Sequence, residues 1–257
     1  MPAKTREHSA ASASRYLILL LLFGPLAYGL SLLVTLPASV ASRYLELPSQ
    51  IEALGGTVWN GSALIEGGHR AVWRLDRQAT VTRLAPYFAV SLEGPGTSLV
   101  AQARIAPISM AATVEDLRGR ASWPLAVALA PDARRMHCDP VAVFDISKIE
   151  LSWNWIGADG TVRSNEGACH RIDDTVNASV PVPPLVLRVA IESRNTRATL
   201  KRRDGDQDLL MNASLAGGRR LAATIFPEGA RMVPGLPSSA PISIEMELLT
   251  PPSPPDR

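Results

Sequence analysis

The chain is short of the features that usually reveal a chemistry. It has two cysteines in 257 residues, which excludes a disulfide-dense scaffold and a zinc site built on four thiolates. Excess charge is nearly absent. The 26 basic and 24 acidic residues leave +2, which gives no electrostatic footprint for nucleic acid. There is no G-x-S-x-G elbow, no H-E-x-x-H pair and no Walker-type phosphate loop. Paired acids, Glu115-Asp116 and Asp173-Asp174, read as solvated turn residues. The expectation is a non-enzyme with no catalytic residue, no cofactor and no metal. Long soluble helices are not favoured either, because 21 prolines and 18 glycines argue against a bundle or coiled coil.

What is present is a globular composition, 46% apolar and 19% charged. The small charge excess has a location. Lys4, Arg6 and Arg15 against Glu7 leave +2 before residue 16, and the remaining 23 basic and 23 acidic residues cancel. Tyr16 to Leu36 then runs for 21 residues without a charge. A helix needs roughly 20 apolar residues to cross a bilayer. Gly24, Pro25 and Gly29 are tolerated in a membrane helix, and Tyr16 stands where an interfacial aromatic belongs. The competing reading is a cleaved signal peptide, with Ala38, Val40 and Ala41 offering small residues for cleavage; its apolar stretch is shorter, about 7–15 residues. The run length favours an uncleaved anchor. We therefore expect a tail over 1–15, one transmembrane helix over 16–36, a β domain over 37–250 and a Pro-rich tail over 251–257. The basic flank puts the N-terminus in the cytoplasm.

Beyond residue 36 the pattern turns to period two, the signature of strands. Leu64–Leu75 reads as two runs about Gly67-Gly68. Phe88–Leu92, Ser98–Ile105, Leu185–Ile191, Arg197–Lys201, Leu209–Leu215, Arg219–Phe226 and Ile242–Leu249 also read as strands. Ile149, Leu151, Trp153 and Trp155 alternate with polar residues and predict one amphipathic strand, its apolar face a candidate contact surface. Gly157 to Gly160 predicts a turn leading into a strand over Thr161–Ser164, and Arg203-Asp204-Gly205-Asp206 another turn. Pro37–Leu54, with Pro48 inside it, is the one soluble helix expected, a short one followed by a connector. The fold class expected is mainly β, a curved, largely antiparallel sheet.

A more specific stretch is Gly55-Gly56-Thr57-Val58-Trp59-Asn60-Gly61-Ser62-Ala63, about twenty residues after the apolar run. This GTxWxGxA box behind an N-terminal anchor resembles the type II (general) secretion pathway protein N family. The resemblance implies a bacterial inner-membrane accessory component with a periplasmic β domain. Its partners would be other subunits of the machine that exports folded proteins across the outer membrane. On its own residues, Gly56, Thr57, Trp59 and Gly61 read first as a structural hairpin and second as a contact site. The alternation also resembles the long gutter-like sheets of AsmA-like and lipid-transfer proteins. That implies an alternative, an envelope protein holding lipid in an apolar β-groove.

Cys138 and Cys169 are expected to pair in an oxidising compartment. Each has a histidine neighbour, His137 and His170, but adjacent residues on a strand point to opposite faces, which disfavours a shared metal. His69, beside Gly68, is expected at the surface. The basic run through Arg194, Arg197, Lys201, Arg202 and Arg203, followed by Asp204, reads as a solvated tip, with lipid headgroups or an acidic partner as the alternative.

Overall fold

A computed structural model describes residues 31–32, 35–41, 48–106, 109, 111–152, 155–172, 179–193, 195–204, 209–217, 220–234 and 236–247. The expected cytoplasmic tail and the Pro-rich C-terminus lie outside these residues, as does most of the expected membrane helix. Among the described residues no helix is long and apolar enough to cross a membrane.

The chain is mainly β. Its strands are β1 (Ile51–Gly56), β2 (Asn60–Ile65), β3 (His69–Leu75), β4 (Tyr87–Gly94), β5 (Thr97–Ala106), β6 (Ala111–Ala121), β7 (Met136–Cys138) and β8 (Ala142–Ser152). They continue as β9 (Trp155–Ser164), β10 (Gly167–Arg171), β11 (Val180–Val182), β12 (Leu185–Glu192), β13 (Asn195–Arg202), β14 (Leu209–Ala216), β15 (Arg220–Ile225) and β16 (Ile242–Glu247). Thirteen of them form one antiparallel sheet in the order β1-β2-β3-β4-β5-β6-β8-β9-β12-β13-β14-β15-β16. The other three form a small sheet, β11-β10-β7.

The turn chemistry explains much of this order. Pro95-Gly96, with Gly96 at φ 62, closes β4 onto β5 so that Gly94 faces Thr97. Ser193 at φ 61 helps close β12 onto β13, where Glu192 faces Asn195. β13 and β14, which flank the turn expected at Arg203–Asp206, do pair, and 205–208 lie outside the described residues. Bulges interrupt the β5–β6 pairing between Val100 and Gln102 and the β8–β9 pairing between Ile146 and Lys148. Such bulges increase local twist and bend a strand.

Four expectations are corrected. Among the described residues of Pro37–Leu54, Ala38–Ala41 are helical, and from Ile51 the chain is the first strand of the sheet rather than a connector. Gly157–Gly160 is not a turn but lies within β9, paired with β8. Ile149 to Trp155 is not one strand, because β8 ends at Ser152 and β9 starts at Trp155. Short helices also form beyond the one soluble helix expected. Arg77–Arg83 is capped by Asp76, whose Oδ1 accepts from the Ala79 amide at 2.9 Å. Trp123–Leu129 and Pro227–Ala230 each carry proline in the first turn, where its missing N–H costs nothing.

The Trp123–Leu129 helix sits between two apolar clusters. Leu99, Ala121 and Leu125 form one, with Phe144 against it. Cys138, Cys169 and Val182 form the other, with Trp123 and Leu185 against it. Leu125 and Ala128 are the buried residues of the helix.

Candidate functional site

The GTxWxGxA box is the hairpin between β1 and β2. Gly56 and Gly61 face one another in register, and Gly56 adopts φ 80, a conformation glycine enters without strain. Between them the Thr57 amide donates to the Asn60 carbonyl at 2.8 Å, and the Asn60 amide donates to Thr57 Oγ1 at 3.0 Å. Gly61 is needed for a different reason. The Trp73 indole of β3 lies over it, and a Cβ there would meet Trp73 Cζ2 at 2.4 Å. That ring is fixed by its own N–H, which donates to the Val58 carbonyl at 3.0 Å. Trp59 turns to Phe88 of β4, rings stacked 6.4 Å apart and 7° from parallel. The Leu75 amide donates to Trp59 O at 2.8 Å, and Asn60 Oδ1 accepts from it at 3.2 Å. The box thus ties β1 to β4 through side chains as well as ladder bonds.

The same turn receives the chain arriving from the expected membrane segment. The Val58 amide donates to the Leu36 carbonyl at 3.0 Å, and Pro37 bridges Thr57. Ala38, just beyond, is buried. Leu36 is the last residue of the apolar run, so the end of the run is hydrogen-bonded to the first hairpin of the sheet.

Cys138 and Cys169 form a disulfide across β7 and β10, as expected. They are direct partners, Cα atoms 4.2 Å apart, and the Asp139 amide donates to the Ala168 carbonyl at 3.0 Å. This is the non-hydrogen-bonded type of antiparallel pair, in which side chains come closest. β7 precedes the β8–β9 hairpin and β10 follows it, so the bond brackets that hairpin. His137 faces His170 with ring centroids 5.2 Å apart. They occupy the other face of the strands from the sulfurs, as the alternation requires. Among the described residues no three His, Cys, Asp or Glu side chains are grouped to hold a metal ion.

The candidate contact face does not assemble as one surface. Register pairs Leu151 with Ile156 and Ile149 with Ala158, while Trp155 pairs with Ser152. Trp155 therefore lies with Glu150 on one face of the hairpin, and Ile149 and Leu151 lie on the other. The Trp155 indole N–H donates to Glu150 Oε2 at 3.0 Å. Trp153 lies outside the described residues. The Glu150 carboxyl is held below the ordinary glutamate range, first by its hydrogen bond to Lys148 and then by that of Trp155.

His69 is not at the surface but fully buried. Its Nδ1 lies 3.4 Å from the Glu66 carbonyl and its Nε2 lies 3.4 Å from Thr97 Oγ1. The ring rests on Gly94, where a Cβ would come within 2.3 Å of it. In the basic run, Arg197 pairs with Glu192 at 3.4 Å and Arg203 with Asp204 at 3.4 Å. The run is therefore interleaved with its own counter-charges at an exposed hairpin.

Sequence reading missed one feature altogether. A cavity of about 460 Å³ opens beneath the Trp123–Leu129 helix, between the two apolar clusters. The disulfide, Phe144, Leu185 and Val182 form part of its wall, and Ala126 and Leu129 come from the helix. Every residue there is apolar or a small hydroxyl.

Comparison with protein-family models, curated proteins and solved structures gives no match to this chain.

Proposed function

We propose that this chain is a non-catalytic accessory component of a type II secretion system, held in the bacterial inner membrane by residues 16–36. Its sheet stands in the periplasm and works through contacts with other subunits. The observation that carries this reading is the seat of Leu36 and Pro37 on the Thr57–Val58 turn. It couples the end of the apolar run directly to a large sheet, which suits a fixed periplasmic platform better than a freely swinging domain. It also gives the box a role that joins its two halves, the glycines shaping the turn and the tryptophans bracing it. The contact surface best suited to a partner is the β16 edge, unpaired among the described residues, since an exposed edge accepts another strand.

The test is a pair of experiments in the native host. Deleting the gene is expected to reduce export of type II cargo, and the full-length chain restores it. A photo-crosslinking amino acid at Met246, on the β16 edge, is expected to give adducts with secretion-machine subunits. Unimpaired export together with no subunit adducts would overturn the reading.

The alternative, a lipid-binding envelope protein, gains no support from the Ile149, Leu151 and Trp155 set, which is split between two faces. It does gain support from the cavity beneath the Trp123–Leu129 helix.

A further inference from the structure

We infer that the cavity beneath the Trp123–Leu129 helix is a binding site for one acyl chain of a phospholipid. The inference is independent of the secretion reading and requires only that the chain meets a bilayer.

The first observation is chemical. No residue of the wall carries a charge, and each polar side chain present already makes a hydrogen bond. Ser122 Oγ donates to the Pro95 carbonyl at 3.0 Å. Ser164 Oγ accepts from the Leu185 amide at 3.2 Å. The Trp123 indole N–H donates to the Met136 carbonyl at 2.7 Å. A ligand entering here meets two serine hydroxyls as its side-chain polar groups, both already engaged once. Any polar group it carried inward would lose its water without replacement. A peptide segment brings backbone amides and carbonyls, so it fits poorly. A saturated hydrocarbon chain brings none.

The second observation is size. The cavity, about 460 Å³, falls within the range of roughly 300–1,000 Å³ seen for small-molecule sites. It is about three times the 150 Å³ engineered apolar cavity that binds benzene. One aromatic side chain from a partner leaves most of this volume empty, whereas a longer hydrocarbon chain occupies more of it.

The third observation is its position in the core. Wall residues come from both apolar clusters, Ala121, Leu125 and Phe144 from one, Cys138, Cys169 and Val182 from the other. Two clusters stand where a domain of one core has a single contiguous cluster. A hydrocarbon in the gap joins them. The disulfide fixes the far wall, so the site is formed before the ligand arrives.

The test uses the full chain in lipid nanodiscs containing phosphatidylethanolamine with a mid-chain diazirine. After irradiation and trypsin digestion, adducts are mapped by mass spectrometry. The expected result is lipid on peptide 121–134, which carries the helix, and on peptide 136–148, which carries Cys138, Ala142 and Phe144. Ala126→Trp and Ala142→Trp, which fill the cavity from the helix and from β8, are each expected to cut labelling of both peptides about tenfold. Intact disulfide, read by thiol labelling of the unfolded protein, marks a variant as folded. Peptide 16–43 serves as the internal reference, because a membrane helix labels whatever the cavity does. Labelling of 16–43 without 121–134 or 136–148 would overturn the acyl-chain site and leave the anchor standing. Labelling of the cavity peptides that both folded tryptophan variants retain would overturn it too. Cavity labelling without 16–43 would overturn the anchor instead.

Discussion

A methyl group at Gly61 would meet Trp73 Cζ2 at 2.4 Å, the Gly55 carbonyl at 2.7 Å and the Thr57 carbonyl at 2.8 Å. Two of these three neighbours are backbone and cannot swing aside. Gly61→Ala is therefore expected to destabilise the protein by about 1–3 kcal/mol, read as a lower urea midpoint. An unchanged midpoint would mean that Trp73 is not seated over the box. Glu150 gives a prediction in pH. Its carboxyl is held below the ordinary range by Lys148 and then Trp155, so the folded state binds its proton less readily than the unfolded chain. The resulting stability is complete above the unfolded pKa and is lost as pH falls through the folded one. Glu150→Gln is expected to flatten the acid side of a plot of melting temperature against pH, below about pH 4.5, and to leave its alkaline side unchanged. Parallel curves for the two proteins would rule out the interaction. His69 shows how a single residue misleads. Beside Gly67-Gly68 it has the look of a turn residue, and only the pairing of β3 with β4 lays it over Gly94 and against Thr97.

Among elements, the β7–β10 pair depends most on one bond. Both strands are short, three and five residues, and the disulfide is the covalent tie between them. The 31-residue separation corresponds to about 3–4 kcal/mol in the chain-entropy estimate. Replacing both cysteines by serine is expected to lower stability by about that amount, with hydrogen exchange rising first in β7, β10 and β11. Uniform loss of protection across the large sheet would contradict this division. Much of the sheet was legible in the sequence because half-buried strands alternate. β3, β5, β12 and β14 lie where period two places them. The errors have physical causes. Ile149 to Trp155 alternates without a break, yet the chain reverses between Ser152 and Trp155, and a pattern that continues across a hairpin conceals it. Gly157 and Gly160 carry turn residues into a strand, because Gly157 lies under the Trp155 ring and Gly160 lies against the Ile146 backbone. Trp123–Leu129 is apolar on every side, so it offers no helical period to read. The cavity was illegible for a related reason, since its walls come from segments that only the three-dimensional pairing brings together.

At the scale of the whole molecule, the large sheet is open among the described residues, and its last strand is an edge. β16 presents Ile244 and Met246 on one face and Glu245 and Glu247 on the other, all exposed. Charges on an edge strand oppose unplanned pairing. Replacing Glu245 and Glu247 together by valine is expected to promote self-association at concentrations where the parent chain stays dispersed, read by sedimentation velocity. Unchanged sedimentation would mean that the edge is already covered. The same edge is the contact surface in the secretion proposal, so the double variant is also expected to weaken subunit adducts from Met246.

Among the described residues the strand order follows the chain, and the strands left out of the large sheet, β7, β10 and β11, form a sheet of their own. Such an order suits folding that proceeds from one end. Each hairpin finds a finished edge to join, starting from the turn that seats Leu36 and Pro37, and β16 joins last. The sequence holds no third thiol to compete for Cys138 or Cys169, so oxidation has one pairing to make. A chain built this way keeps few long unpaired stretches exposed while it folds.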